Sequence, residues 1–130
     1  MVAKHEKIQL SPRASNSAGG QTASAVARGG DFLFVCGLVA VDLESGQPVR
    51  GTTASETQQI LANLKEVLEA AGSSLDKVVK MNVLLASMLE APNMNDVYSR
   101  FFLDPPPART VCGARLPDGM KVMIECTALA

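Results

Sequence analysis

The stretch TASETQQILANLKEVLEAAGSSLDKVVKMNVLLA, residues 53–86, changes its hydrophobic period halfway along, and that change sets the fold class. In the first half Ile60, Leu61, Leu64, Val67, Leu68 and Ala71 recur at three- and four-residue steps, which lines one face of an α-helix of about five turns. Thr53 followed by Glu56 predicts a capping box at its start, and Gly72 suits the left-handed position just past its end. Asn63 on this helix reads as a satisfied internal amide. Ser73 to Lys77 is a linker with room for one short turn. From Val78 the period falls to two: Val79, Met81, Val83 and Leu85 take one side, Lys80 and Asn82 the other, which predicts a strand over 78–86.

Working outward, three strands are expected before the helix. Lys7 to Leu10 is a short one, followed by the surface loop SPRASNSAGGQT; Ala23 to Arg28 and the run DFLFVCGLVAV from Asp31 then form a hairpin across Gly29-Gly30. In that run Phe32, Phe34 and Cys36 point to one side and Leu33, Val35 and Gly37 to the other. After the strand at 78–86, a second helix is expected from about Pro92, a good first-turn residue, through Met94, Val97, Tyr98, Phe101 and Phe102. The segment Leu103-Asp104-Pro105-Pro106-Pro107 ends it. Two last strands, Thr110 to Leu116 and about Met120 to Ala128, are expected to form a hairpin around Pro117-Asp118-Gly119. The order is three strands, helix, strand, helix, two strands: an α+β fold with a mixed sheet and both helices on one face. The strands are apolar on both sides, so the uncovered side calls for a second apolar surface. Another copy of the chain in a closed homo-oligomer supplies it.

The chain has 130 residues, the size of one domain spanning 1–130, and 47% hydrophobic content is enough for a core without staples. A net charge of -1 with no Lys/Arg cluster disfavours nucleic acid as a main partner. Cys36, Cys112 and Cys126 are odd in number and lie in apolar runs, so reduced thiols and a reducing, cytoplasmic setting are expected. The start MVAKHEKIQL has no signal-peptide core, and no apolar run is long enough to span a membrane. A mitochondrial address stays open as the alternative.

The sole histidine, His5, sits in a polar tail, so neither a His metal cluster nor a Ser-His-Asp arrangement is expected. A thiol such as Cys36 in a strand beside Gly37 reads as packing, and Asn95 at a helix start as solvated. Two charges stand out because they interrupt sequence that reads as buried. Arg109 follows the proline run and precedes apolar residues; Glu125 lies between Ile124 and Cys126. Either they neutralise each other as an ion pair on neighbouring strands, or they face a pocket. In the second case Arg109 grips a carboxylate through two parallel N–H bonds and Glu125 holds or activates a water.

Several segments together resemble one family, the reactive intermediate (imine/enamine) deaminases, also called liver perchloric-acid-soluble or translation-inhibitor-like proteins. They are FVCGL at 34–38, ETQQILANLKEVLEAAGSSLDKVVKMNV at 56–83, NDVYSRFF at 95–102, PARTVCGARLP at 107–117 and the final VMIECTALA. The resemblance implies a trimer of chorismate-mutase-like subunits with clefts between neighbours. It implies hydrolysis of 2-imino acids, or their enamine tautomers, to 2-oxo acids and ammonia with no cofactor, the imines arising from dehydratases that use pyridoxal phosphate. In that picture Arg109 grips the substrate carboxylate, Glu125 positions the attacking water, and Cys36, Gly37, Asn95 and Cys112 line the substrate. The chain also departs from the family pattern. The family's Gly-Pro-Tyr-Ser-Gln falls near Gly20 to Ser24 without its tyrosine, and its Ser-Gly-Gln is Cys36-Gly37-Leu38. Its helix-opening glutamine is Glu56. The segment from Arg109 to Leu116 is one residue short, which flips later side chains in a strand unless a bulge or Gly113 absorbs the change. Two rivals stand beside the deaminase: a module of the same fold that captures a small carboxylate without turnover, and an endoribonuclease, which the charge balance and the lack of a His base weaken.

Overall fold

The computed structural model describes residues 24–102 and 104–130, together with the backbone of Glu6–Ile8. Its elements are β1 (Glu6–Ile8), β2 (Val26–Gly29), β3 (Phe32–Leu38), α1 (Thr53–Ala70), β4 (Val78–Leu85), α2 (Ala91–Tyr98), β5 (Ala108–Gly113) and β6 (Val122–Leu129). The element order matches expectation, with β1 one residue earlier than the sequence pattern placed it. The loop expected over 11–22, His5 and most of the Gly20–Ser24 segment lie outside the described residues.

Why α1 forms is plain in its contacts. Thr52, one residue before the expected cap, accepts from the Ser55 N–H, and Ser55 Oγ accepts from the Thr52 N–H, closing a capping box. At the other end Gly72 has φ +85°, and the Gly72 and Ser73 N–H groups donate to the Glu69 and Leu68 carbonyls. That is the reciprocal pattern by which a helix is closed with a left-handed residue. Ile60, Leu61, Leu64, Val67 and Leu68 are buried against Leu33, Val35, Met81, Val83 and Ile124 of the sheet. Asn63 is satisfied: its amide donates to the Val41 carbonyl at 2.7 Å and its oxygen accepts from Gln59 at 2.9 Å. α2 is a turn shorter than expected, ending at Tyr98, with Phe102 brought back so that its ring lies 4.7 Å from that of Tyr98.

Strand pairing is where the structure corrects the expectation. Among the described residues the sheet has six strands in the order β1-β2-β3-β6-β4-β5, so β5 and β6 are not a hairpin. β5 runs parallel to β4 and is reached by the α2 crossover that parallel pairing requires. The Pro117–Gly119 turn, with positive φ at Asp118 and Gly119, sends the chain past β4, and β6 inserts antiparallel between β3 and β4. Because β6 takes its register from β3 and β4, the short segment after Arg109 cannot flip Glu125. That segment leaves the sheet at Gly113.

Two irregularities shift the alternation of side chains. Between Val35 and Leu38 the register slips, with Cys36 and Gly37 together opposite Glu125 of β6, so Leu38 returns to the buried side. A second slip between Val78 and Lys80 turns Val79 outward and buries Val78 instead. Both helices pack on one face of the sheet. The other face is open and carries Phe32, Phe34 and Leu129, which are 41%, 50% and 42% exposed, and the half-buried Leu84 and Met123. No helix among the described residues is long and apolar enough to cross a membrane.

Candidate functional site

Residues paired across a ladder share a face of the sheet. Met81 pairs with Arg109 on one side and Cys126 on the other, and Met81 and Cys126 are buried beneath the helices. Arg109 therefore lies on the helix face of the edge strand β5. Asn82, the next residue along β4, pairs with Thr110 and Glu125, which puts Glu125 on the open face. The two charges are two strands apart, on opposite faces, and both are exposed rather than half-buried. They form no ion pair with each other, contrary to the first of the two expectations. The sequence cannot show this, because relative facing across strands follows from pairing and not from spacing within either strand.

Arg109 is held by neutral partners. One guanidinium nitrogen donates to Asn95 Oδ1 at 2.7 Å, and the guanidinium carbon lies 4.6 Å from the centre of the Tyr98 ring. Asn95 and Tyr98 are three positions apart on α2, so both present to the same edge of the sheet. Among the described residues Arg109 has no carboxylate partner, which leaves the rest of its planar fork open to a ligand anion. Beside it is a cleft of about 380 Å³ lined by Asn95, Tyr98, Ser99, Phe102, Pro106 and Pro107. The proline run thus forms a stiff wall of this cleft. Tyr98 was readable only as a core aromatic. It is buried, its hydroxyl has no hydrogen-bond partner among the described residues, and burial pushes its pKa up to about 12 against the opposing pull of Arg109.

On the open face Glu125 Oε1 accepts from Asn82 Nδ2 at 2.9 Å. Cys36, at the β3 slip, is near enough to feel the Glu125 charge. Burial raises its thiol pKa, a backbone hydrogen bond lowers it and Glu125 raises it, so the net direction is upward and the thiol stays protonated at neutral pH. Gly37 is hemmed in: a Cβ there would lie 2.6 Å from Met123 Sδ. Cys112 is exposed and pairs with Leu84, which places it on the same open face one strand pair from Met123. Cys126, beneath the helices, is a packed thiol that burial pushes up to about 12. No group of three or more His, Cys, Asp or Glu among the described residues is placed to hold a metal ion.

The six candidates thus divide into two half-sites. Arg109 and Asn95, joined by Tyr98, flank the edge cleft; Glu125, Cys36, Gly37 and Cys112, joined by Asn82, occupy the open face. That Asn82 touches Glu125 and Tyr98 lies against Arg109 is not read from the sequence. The i, i+3 spacing of Asn95 and Tyr98 was a usable signal for the first half-site; for Asn82 only the β4–β6 register could give it.

Known proteins bear on this arrangement. The family model described as endoribonuclease L-PSP matches residues 14–130. A RutC family protein of Pyrococcus horikoshii is 39% identical over 102 residues, covering 78% of this chain and 81% of that protein. A mouse protein named 2-iminobutanoate/2-iminopropanoate deaminase is 41% identical over 98 residues, covering 75% of this chain and 73% of its own. The crystal structure of RidA from an Antarctic Psychrobacter superposes with a TM-score of 0.81 at 30% identity, over 91% of this chain and 94% of that one.

Proposed function

Because the chain belongs to the endoribonuclease L-PSP family, which takes in the reactive intermediate (Rid) proteins, we propose that it hydrolyses small 2-imino acids, or their enamine tautomers, to 2-oxo acids and ammonia. The observation that carries this reading is the state of Arg109: a cation fixed by an amide and an aromatic face, without a carboxylate partner among the described residues, at the mouth of a cleft. Such a group binds a substrate carboxylate through paired N–H bonds. Glu125 then takes a proton from water as its oxygen attacks C2 of the C=N group and passes that proton to the nitrogen, giving the carbinolamine. It next takes the hydroxyl proton and delivers it to the nitrogen as the C–N bond breaks, leaving the oxo acid and ammonia. Water is the sole co-reactant, and oxidation levels do not change.

One chain cannot place Arg109 and Glu125 on one substrate, since they face opposite sides of its sheet. The site is therefore assembled between copies, with Arg109 and its cleft from one subunit and Glu125 from the next. Packing of the apolar open face against neighbours in a homotrimer supplies the arrangement. If copies do not associate, only the Arg109 half-site remains, and the same observation then favours carboxylate capture without turnover. The deciding experiment generates 2-iminobutyrate in situ and follows ammonia with and without the protein. Acceleration supports the deaminase; binding of 2-oxobutyrate with no acceleration replaces it with the binding module.

Arg109→Lys tests the grip itself. Lysine offers a point charge where arginine offers a fork, so affinity for 2-oxobutyrate is expected to fall by about 1.5–3 kcal/mol, measured by calorimetry, with the fold intact. Unchanged affinity would remove Arg109 from the site.

A further inference from the structure

Asn82 stands opposite Glu125 in the β4–β6 ladder, and its Nδ2 donates to Glu125 Oε1 at 2.9 Å. The amide has one possible orientation there, because an ionised carboxylate can only accept and so must meet the nitrogen. Lys80, the nearest cation along β4 on the same face, is engaged elsewhere: its ammonium donates to Thr110 Oγ1 at 2.7 Å on β5. Glu125 has no cationic partner among the described residues, so a neutral donor alone anchors it. An exposed glutamate turns about three side-chain bonds and presents either oxygen to solvent. A donor fixed on the adjoining strand, at the paired position, restricts that freedom. It engages Oε1 and leaves Oε2 as the oxygen able to face water.

We propose that Asn82 is a positioning residue for the hydrolytic step, holding Glu125 in the rotamer from which Oε2 meets the attacking water. The proposal rests on the imine-hydrolase reading of Glu125. Asn82→Leu keeps a similar volume without the donor. In that variant kcat for 2-iminobutyrate is expected to fall about 10- to 10²-fold, the scale on which loss of alignment acts, with KM little changed because Arg109 still binds the carboxylate. Asn82→Gln, which keeps the amide on a longer stem, should recover part of the loss, and melting temperatures should stay together. Side-chain order parameters of Glu125 by NMR provide a readout independent of turnover, and are expected to drop in Asn82→Leu. An active wild type with unchanged kcat in Asn82→Leu overturns the proposal, as does a joint loss of kcat, KM and melting temperature. A wild type with no imine hydrolysis sinks the hydrolase reading instead; the order parameters then still decide whether Asn82 holds Glu125, and an equally ordered Glu125 in the Leu variant refutes it.

Discussion

Glu125→Gln is expected to lower turnover of 2-iminobutyrate by about 10² to 10⁴, the range that a positioned general base contributes, while the melting temperature stays where it is. The stability half of this expectation comes from geometry. A Glu125 paired with a buried arginine would leave an uncompensated charge on mutation and cost several kcal/mol. Glu125 is instead exposed, lies on the face opposite Arg109 and, among the described residues, accepts a single hydrogen bond, from Asn82. Glutamine retains an oxygen to accept that bond, so shape and anchoring persist and only the basic oxygen is lost. Ammonia release and thermal melting on the same samples check both halves. Lost stability with retained turnover would reverse the assignment.

The largest stability effect belongs to another glutamate. Glu56 is fully buried at the start of α1; Oε1 accepts from the Lys121 N–H at 2.9 Å and Oε2 from the Gly51 N–H at 3.3 Å. The Lys121 ammonium adds a contact at 3.7 Å from a side chain that is 45% exposed. The carboxylate therefore ties the helix entrance to the segment feeding β6, and both backbone donors depend on it. Glu56→Ala leaves both N–H groups without this acceptor, and is expected to cost about 2–4 kcal/mol in urea unfolding. Glu56→Gln should also destabilise, by less, since its oxygen satisfies one donor while its NH₂ confronts the other. A loss below about 1 kcal/mol in the Ala variant would contradict this role.

These two glutamates show what sequence does and does not make legible. Period was legible: the i, i+3, i+4 pattern from Ile60 to Ala71 became α1, Gly72 its left-handed terminator, and the Pro117-Asp118-Gly119 signal a turn. Pairing was not. Glu56 reads locally as the far end of a capping box, yet Ser55 fills that role, and Glu56 accepts instead from the nearby Gly51 N–H and from the N–H of Lys121, which is distant in sequence. Arg109 and Glu125 were both legible as charges in apolar runs. Their separation followed from β6 inserting between β3 and β4, a choice driven by burial of Val122, Ile124 and Cys126 under the helices. The apolar character of both strand faces did foretell an open sheet face, carried by Phe32, Phe34 and Leu129.

If Arg109 and Glu125 act on one substrate from different subunits, mixing two inactive variants restores activity. Arg109→Ala and Glu125→Gln are each expected to lack turnover, and are unfolded together at equal amounts and refolded so that subunits combine at random. In a ring of identical contacts, about one site in four then joins an intact Arg109 from one copy to an intact Glu125 from its neighbour, so roughly a quarter of wild-type ammonia release should return. Mixed assemblies that form, by mass, but regain no activity would contradict a site shared between subunits.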